Sequence, residues 1–84
     1  MSIYEEFDLL RDALYNAEWN RYEGPVRKVV EKCDAIMDNH NIYEPYTTTE
    51  RVPNTNWYVI ICTGMIENII FEEHIIVFDS TKEN

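Results

Sequence analysis

The side chains able to do chemistry here are two cysteines, two histidines and a surplus of carboxylates, and their spacing limits what each could do. Glu72, Glu73 and His74 are consecutive and are donor types that bind a divalent cation. In an extended segment, however, alternate side chains point to opposite faces, so Glu73 turns away from the other two. No spaced pair of the C-x-x-C or H-E-x-x-H kind accompanies them, and a metal site is not expected. Cys33 and His40 lie two helical turns apart on one face, and Cys62 has no marked base. Neither thiol has the neighbouring cation or helix N-terminus that would activate it. With Gly24 and Gly64 as the only glycines, no phosphate-cradling loop can be built. Carboxylates abound, yet nothing marks a pocket that would turn one into a general acid. The reading is of a binding protein rather than an enzyme, without a cofactor.

One constellation does suggest recognition. Tyr4, Asp8, Asp12, Tyr15, Trp19 and Tyr22, with Glu5 beside them, share one face of a first helix, opposite an apolar stripe of Ile3, Phe7, Leu10, Leu14 and Ala17. Tyr and Trp anchor interfaces at low entropic cost, and carboxylates receive Lys and Arg from a partner. Asp8 with Asp12, and Asp12 with Glu5, stand one and two turns apart, about 6–10 Å along one line. Phosphates along a DNA strand follow one another on a comparable scale, so such a row suits a phosphate-reading groove. The competing reading is structural: the rings wrap onto the chain's own sheet or second helix.

Composition narrows the partner. Sixteen acidic and seven basic residues give a net charge of −9, which disfavours nucleic acid and anionic membranes and favours basic proteins. An apolar content of 45% belongs to a globular chain. At 84 residues the chain is a single small domain that buries only about 60–65% of its unfolded surface, so association with a copy or a partner adds stability. No apolar run approaches the roughly 18 residues of a membrane span. The N-terminus, MSIYEEFDLL, lacks the basic-then-apolar order of a secretory signal. Cys33 and Cys62 read as buried thiols of a cytoplasmic protein.

The elements that would position these residues follow from periodicity. Ser2 and Glu5 form a capping box, so a helix over about residues 3–22 starts almost at once. Gly24-Pro25 ends it and opens a second helix over 25–40, with proline at the first helical position and an apolar stripe of Val26, Val29, Val30, Cys33, Ile36, Met37 and His40. Arg27, Lys28 and Lys32 lie on or beside its far side. After a loop marked by Asn39, Asn41 and Pro45, a polar β-prone run over 46–52 reads as an edge strand. Pro53 to Asn56 reads as a turn, followed by strands over 57–64 and 69–78 and a frayed tail from Ser80. A two-residue turn at Glu67-Asn68 would pair Ile60 with Ile75, Val59 with Ile76 and Gly64 with Phe71; a four-residue loop from Gly64 and a short helix over 65–73 are alternatives.

The predicted fold is α+β: two N-terminal helices packed on a three-stranded antiparallel sheet, in the order α-α-β-β-β. Both faces of its hairpin are apolar, and two helices can cover one of them. The uncovered face, carrying Trp57, Val59, Ile61, Ile76 and Phe78, is expected to form a homodimer interface; splitting the helices across both faces is the alternative. The expected function is that of a small acidic inhibitor, a DNA mimic of phage or mobile-element type, that blocks a basic restriction, CRISPR or transcription enzyme in the host cytoplasm. This rests on compositional analogy alone. The same surface suits an antitoxin or immunity protein against a basic nuclease, and a dimeric accessory subunit acting through its sheet is the third class.

Overall fold

The computed structural model describes residues 1–15 and 24–81. Helix α1 spans Ile3–Tyr15, helix α2 Val26–Asn39, and strands β1, β2 and β3 span Tyr43–Arg51, Trp57–Ile66 and Ile69–Phe78. The order α-α-β-β-β and a three-stranded antiparallel sheet with β2 in the middle are as the periodicity predicts. Ala17, Trp19 and Tyr22 lie outside the described residues.

Local chemistry sets the ends of these elements. At the start of α1 the capping box is made: the Ser2 N–H donates to Glu5 Oε1 at 3.3 Å, and the Glu5 N–H to Ser2 Oγ at 3.1 Å. Pro25 stands one residue earlier than expected. It is the N-cap of α2, extended at φ −73° and ψ 143°, and Val26 is the first helical residue. Proline brings no side-chain acceptor, so the cap comes from the far end of the chain. The buried Asp79 carboxylate accepts the Val26 N–H at 2.9 Å through Oδ2, and through Oδ1 it accepts the Thr81 N–H at 2.8 Å and hydroxyl at 2.5 Å. The tail is therefore tied down through Thr81, beyond the Ser80 at which fraying was expected.

The hairpin turns at Glu67-Asn68, whose φ values of 49° and 66° are the paired left-handed conformations of a tight two-residue turn. The four-residue and helical alternatives are not adopted. The register follows: Ile60 faces Ile75, Val59 faces Ile76 and Gly64 faces Phe71. Gly64 is thus inside β2, where a Cβ would lie 2.2 Å from Ile42 Cγ2 and 3.2 Å from the Tyr43 carbonyl oxygen. β2 runs to Ile66, two residues further than expected, because the turn is so tight. β1 begins at Tyr43 rather than at 46, through an irregularity between Tyr43 and Tyr46. Pro45 is tolerated there because β1 is an edge strand, where a missing N–H costs no ladder bond.

Both helices lie on one face of the sheet. Ile3, Phe7, Leu10 and Leu14 of α1 and Val29, Cys33 and Met37 of α2 form one core with Ile42, Ile60, Cys62, Phe71, Ile75 and Val77. The smallest principal extent of the Cα trace is 15 Å, that of one sheet and one helical layer. The alternative with a helix on each face is not adopted.

Candidate functional site

Three surfaces follow from this packing, and the predicted helix face is the first. Tyr4 to Tyr15 is eleven residues of helix, about 16.5 Å at 1.5 Å each, and Phe71 to Ile76 is five residues of strand, about 16.5 Å at 3.3 Å each. The two elements therefore keep pace. The Tyr4 ring lies 5.7 Å from that of Phe71, and the Tyr15 hydroxyl donates to the Ile76 carbonyl oxygen and accepts its N–H at 2.9 Å. Between them Arg11 donates to Glu73 at 2.5 Å, to the His74 carbonyl oxygen at 2.9 Å and to Asp8 at 2.9 Å. Partial burial works against the Arg11 charge, but Glu73 and Asp8 more than offset it and raise its pKa above the ordinary value. Desolvation raises Tyr15 against the pull of its backbone bond, so its hydroxyl stays protonated beyond the usual tyrosine range.

Tyr4 and Tyr15 remain 45% and 49% exposed, each with one side on the sheet. Glu5, Asp8 and Asp12 are exposed. Two of the rings thus serve the fold and the surface at once. Arg11 ties the helix to the β3 edge and was given no role by the sequence reading. Its signal was available: it stands three residues from Asp8 and is the cation of a helix otherwise acidic over residues 3–15.

A second surface is one that periodicity also held but the sequence reading passed over. Glu31, Asp34 and Asp38 recur at helical spacing on α2 and line an open groove of about 690 Å³ against Pro45, Tyr46 and Thr47 of β1. The Thr47 hydroxyl donates to Asp34 at 2.7 Å. Among the described residues no cation pairs with Asp12, Glu31, Asp34 or Asp38. The helical layer therefore carries two carboxylate rows, one per helix.

The outer face of the sheet is the third. By register it presents Trp57, Val59, Ile61 and Met65 from β2 beside Ile70, Ile76 and Phe78 from β3. Trp57 and Ile76 are 43% and 51% exposed and Ile70 is 77% exposed, while Val59, Ile61 and Phe78 are half-buried by their neighbours. The Trp57 and Phe78 rings meet edge-on at 5.3 Å.

The remaining titratable groups are structural. Cys33 and Cys62 are free, fully buried and neighbours across the α2–sheet interface. The neighbouring Cys62 thiol, with burial, pushes Cys33 far up, so it is an inert thiol. His40 bonds to Glu6 and joins the end of α2 to the first turn of α1. His74 and Glu72 pair on the outer face at 2.9 Å, and Glu73 points the other way, to Arg11. Among the described residues no three metal-ligating groups converge. No helix among the described residues is long and apolar enough to cross a membrane.

No protein family, curated protein or solved structure matches this chain.

Proposed function

We propose that this protein is a non-enzymatic inhibitor that holds a basic nucleic-acid-handling protein by occupying its phosphate-binding surface. The observation that carries this reading is the pair of carboxylate rows on the helical layer: Glu5, Asp8 and Asp12 on α1, and Glu31, Asp34 and Asp38 on α2. Each row places about one carboxylate per helical turn of 5.4 Å, sparser than the one phosphate per about 3.4 Å of axis on a strand of duplex DNA but of the same order. Half-exposed Tyr4 and Tyr15 stand beside the α1 row, as rings that anchor an interface would. A restriction, CRISPR or transcription enzyme offers the cationic cleft that such a surface fits. A basic nuclease toxin offers the same chemistry, and the antitoxin reading differs only in the target.

The test is competition. Labelled duplex DNA bound to purified enzymes of these classes should be displaced by the protein at low salt. Displacement should weaken steeply as salt rises, and Asp8→Lys with Asp12→Lys should reduce it without unfolding the chain. Binding that is indifferent to salt and to those substitutions would sink the electrostatic reading. A second reading, an accessory subunit acting through its sheet, is favoured by a separate observation: the uncovered apolar face.

A further inference from the structure

We infer that the outer face of the sheet is a self-association surface, on which two copies of this chain pack face to face around the β2 column of Trp57, Val59 and Ile61. The inference goes beyond the inhibitor reading and does not rest on it, since it uses the opposite side of the molecule.

Three observations select a second copy as the occupant. The first is charge. The chain carries −9, yet the paired outward positions of the sheet hold, besides the neutral phenols of Tyr43 and Tyr46, only Glu50 on β1 and the Glu72–His74 pair on β3 as acid or base groups, and β2 has none. A cationic partner would gain little from this face, and two copies, each with −9 on the body behind it, should associate more tightly as salt rises. The second is self-complementarity. A two-fold axis parallel to the strands sets β1 of one copy over β3 of the other, with equal rows opposed. Trp57, Val59 and Ile61 then meet their own counterparts, Tyr46 comes over Glu72, and Thr48 comes over His74. Glu50 lies over the Ile76 of the other copy, at the edge of the footprint and one row from its His74, so acid and imidazole rather than acid and acid are neighbours. The third is area. Strands of nine or ten residues rise to about 30 Å, and three of them span about 14 Å, a flat footprint of roughly 400 Å² per copy. Side-chain relief adds to the roughly 800 Å² of the pair, bringing it to about the 1,000 Å² at which specific interfaces begin. That scale predicts a dimer that dissociates on dilution rather than a permanent one.

Sedimentation velocity between about 1 and 300 µM should show the mass rising from that of a 10.1 kDa chain towards twice that value. Ile76→Glu buries a charge in the dimer but leaves it exposed in the monomer, so it should raise the dissociation constant on the order of 100-fold with unchanged helical circular dichroism. Asp8→Lys with Asp12→Lys should leave association intact, which separates failure here from failure of the inhibitor reading. A chain that stays monomeric throughout the range overturns the inference. So does a dimer that Ile76→Glu and Val59→Glu both leave unchanged, which would place the contact at a strand edge or on the helices.

Discussion

On the inner face of the sheet Ile60, Cys62, Phe71, Ile75 and Val77 lie against Phe7, Leu10, Val29 and Cys33 with almost no exposure, whereas on the outer face Val59, Ile61, Ile76 and Phe78 from the same two strands keep part of their surface in water. The residue types are nearly interchangeable; the cover is not. Among the described residues the inner face belongs to a single cluster of thirteen buried residues, and the outer face meets only its neighbours within the sheet. Hydrophobic character along a strand therefore does not say which side becomes the core. That is decided by where the amphipathic helices land, and a domain with two helices has material for one layer.

The difference can be broken most forcefully at Phe71, whose ring touches both Tyr4 and Phe7 on the inner face. Phe71→Ala should cost about 3–5 kcal/mol in a denaturant titration, enough to unfold much of a domain this small. The matched outer-face change, Ile76→Ala, should cost the monomer under about 1 kcal/mol and act on association instead. Equal costs on the two faces would mean that the outer face is covered within the monomer.

A second test, smaller in size, addresses how closely β1 approaches the hairpin. Gly64→Ala places a methyl group on Ile42 and the Tyr43 carbonyl and should cost about 1–3 kcal/mol. Combining it with Ile42→Ala should cost less than the sum of the two, because the second change removes the obstructing methyl. Additive costs would show that the obstruction is backbone rather than side chain.

The long-range cap should rank next. Asp79→Ala removes the acceptor for Val26 and Thr81 and should destabilise the chain by about 1–2 kcal/mol. Asp79→Asn, which keeps one carbonyl acceptor, should recover part of that. An unchanged urea midpoint in both variants would show that the end of β3 does not hold α2.

The edge of β3 gives the smallest effect and a sign to check. Tyr15→Phe should cost about 1 kcal/mol through loss of the two bonds to Ile76. The Tyr15 hydroxyl has a folded-state pKa raised above the ordinary value of 10.0, by desolvation. Its contribution is therefore complete below pH 10.0 and is lost as pH rises through the raised value. The difference between wild type and Tyr15→Phe should be flat from neutral pH upward and shrink only in that alkaline range. A difference that already changes near neutral pH would assign the effect to another group.

Much of this architecture was legible in the residues. The run Trp57 to Thr63 and the two polar residues Glu67 and Asn68 allow the hairpin that forms, and of the turns left open the two-residue one is adopted; given that turn, a side-chain period of two leaves one register. Ser2 and Glu5 marked the start of α1 for an equally local reason. Less was legible at the surfaces. Tyr4 and Tyr15 stood out as rings in an acidic row, and each spends part of its surface on β3. Arg11 and the α2 row of Glu31, Asp34 and Asp38 carry no such mark, since one is a single cation and the others share the polar side of an apolar stripe with Arg27, Lys28 and Lys32.

The sequence by itself determined the elements and their order and narrowed the hairpin to a few turns, because helical and strand periods and tight-turn chemistry act between near neighbours. Only the tertiary structure decided which apolar face of the sheet is covered, that Asp79 caps a helix fifty-three residues away, and that Arg11 and Tyr15 close the edge of β3. The first depends on where both helices land, and the others join polar groups distant in the chain, contacts without period that exist only once the packing has brought their partners together.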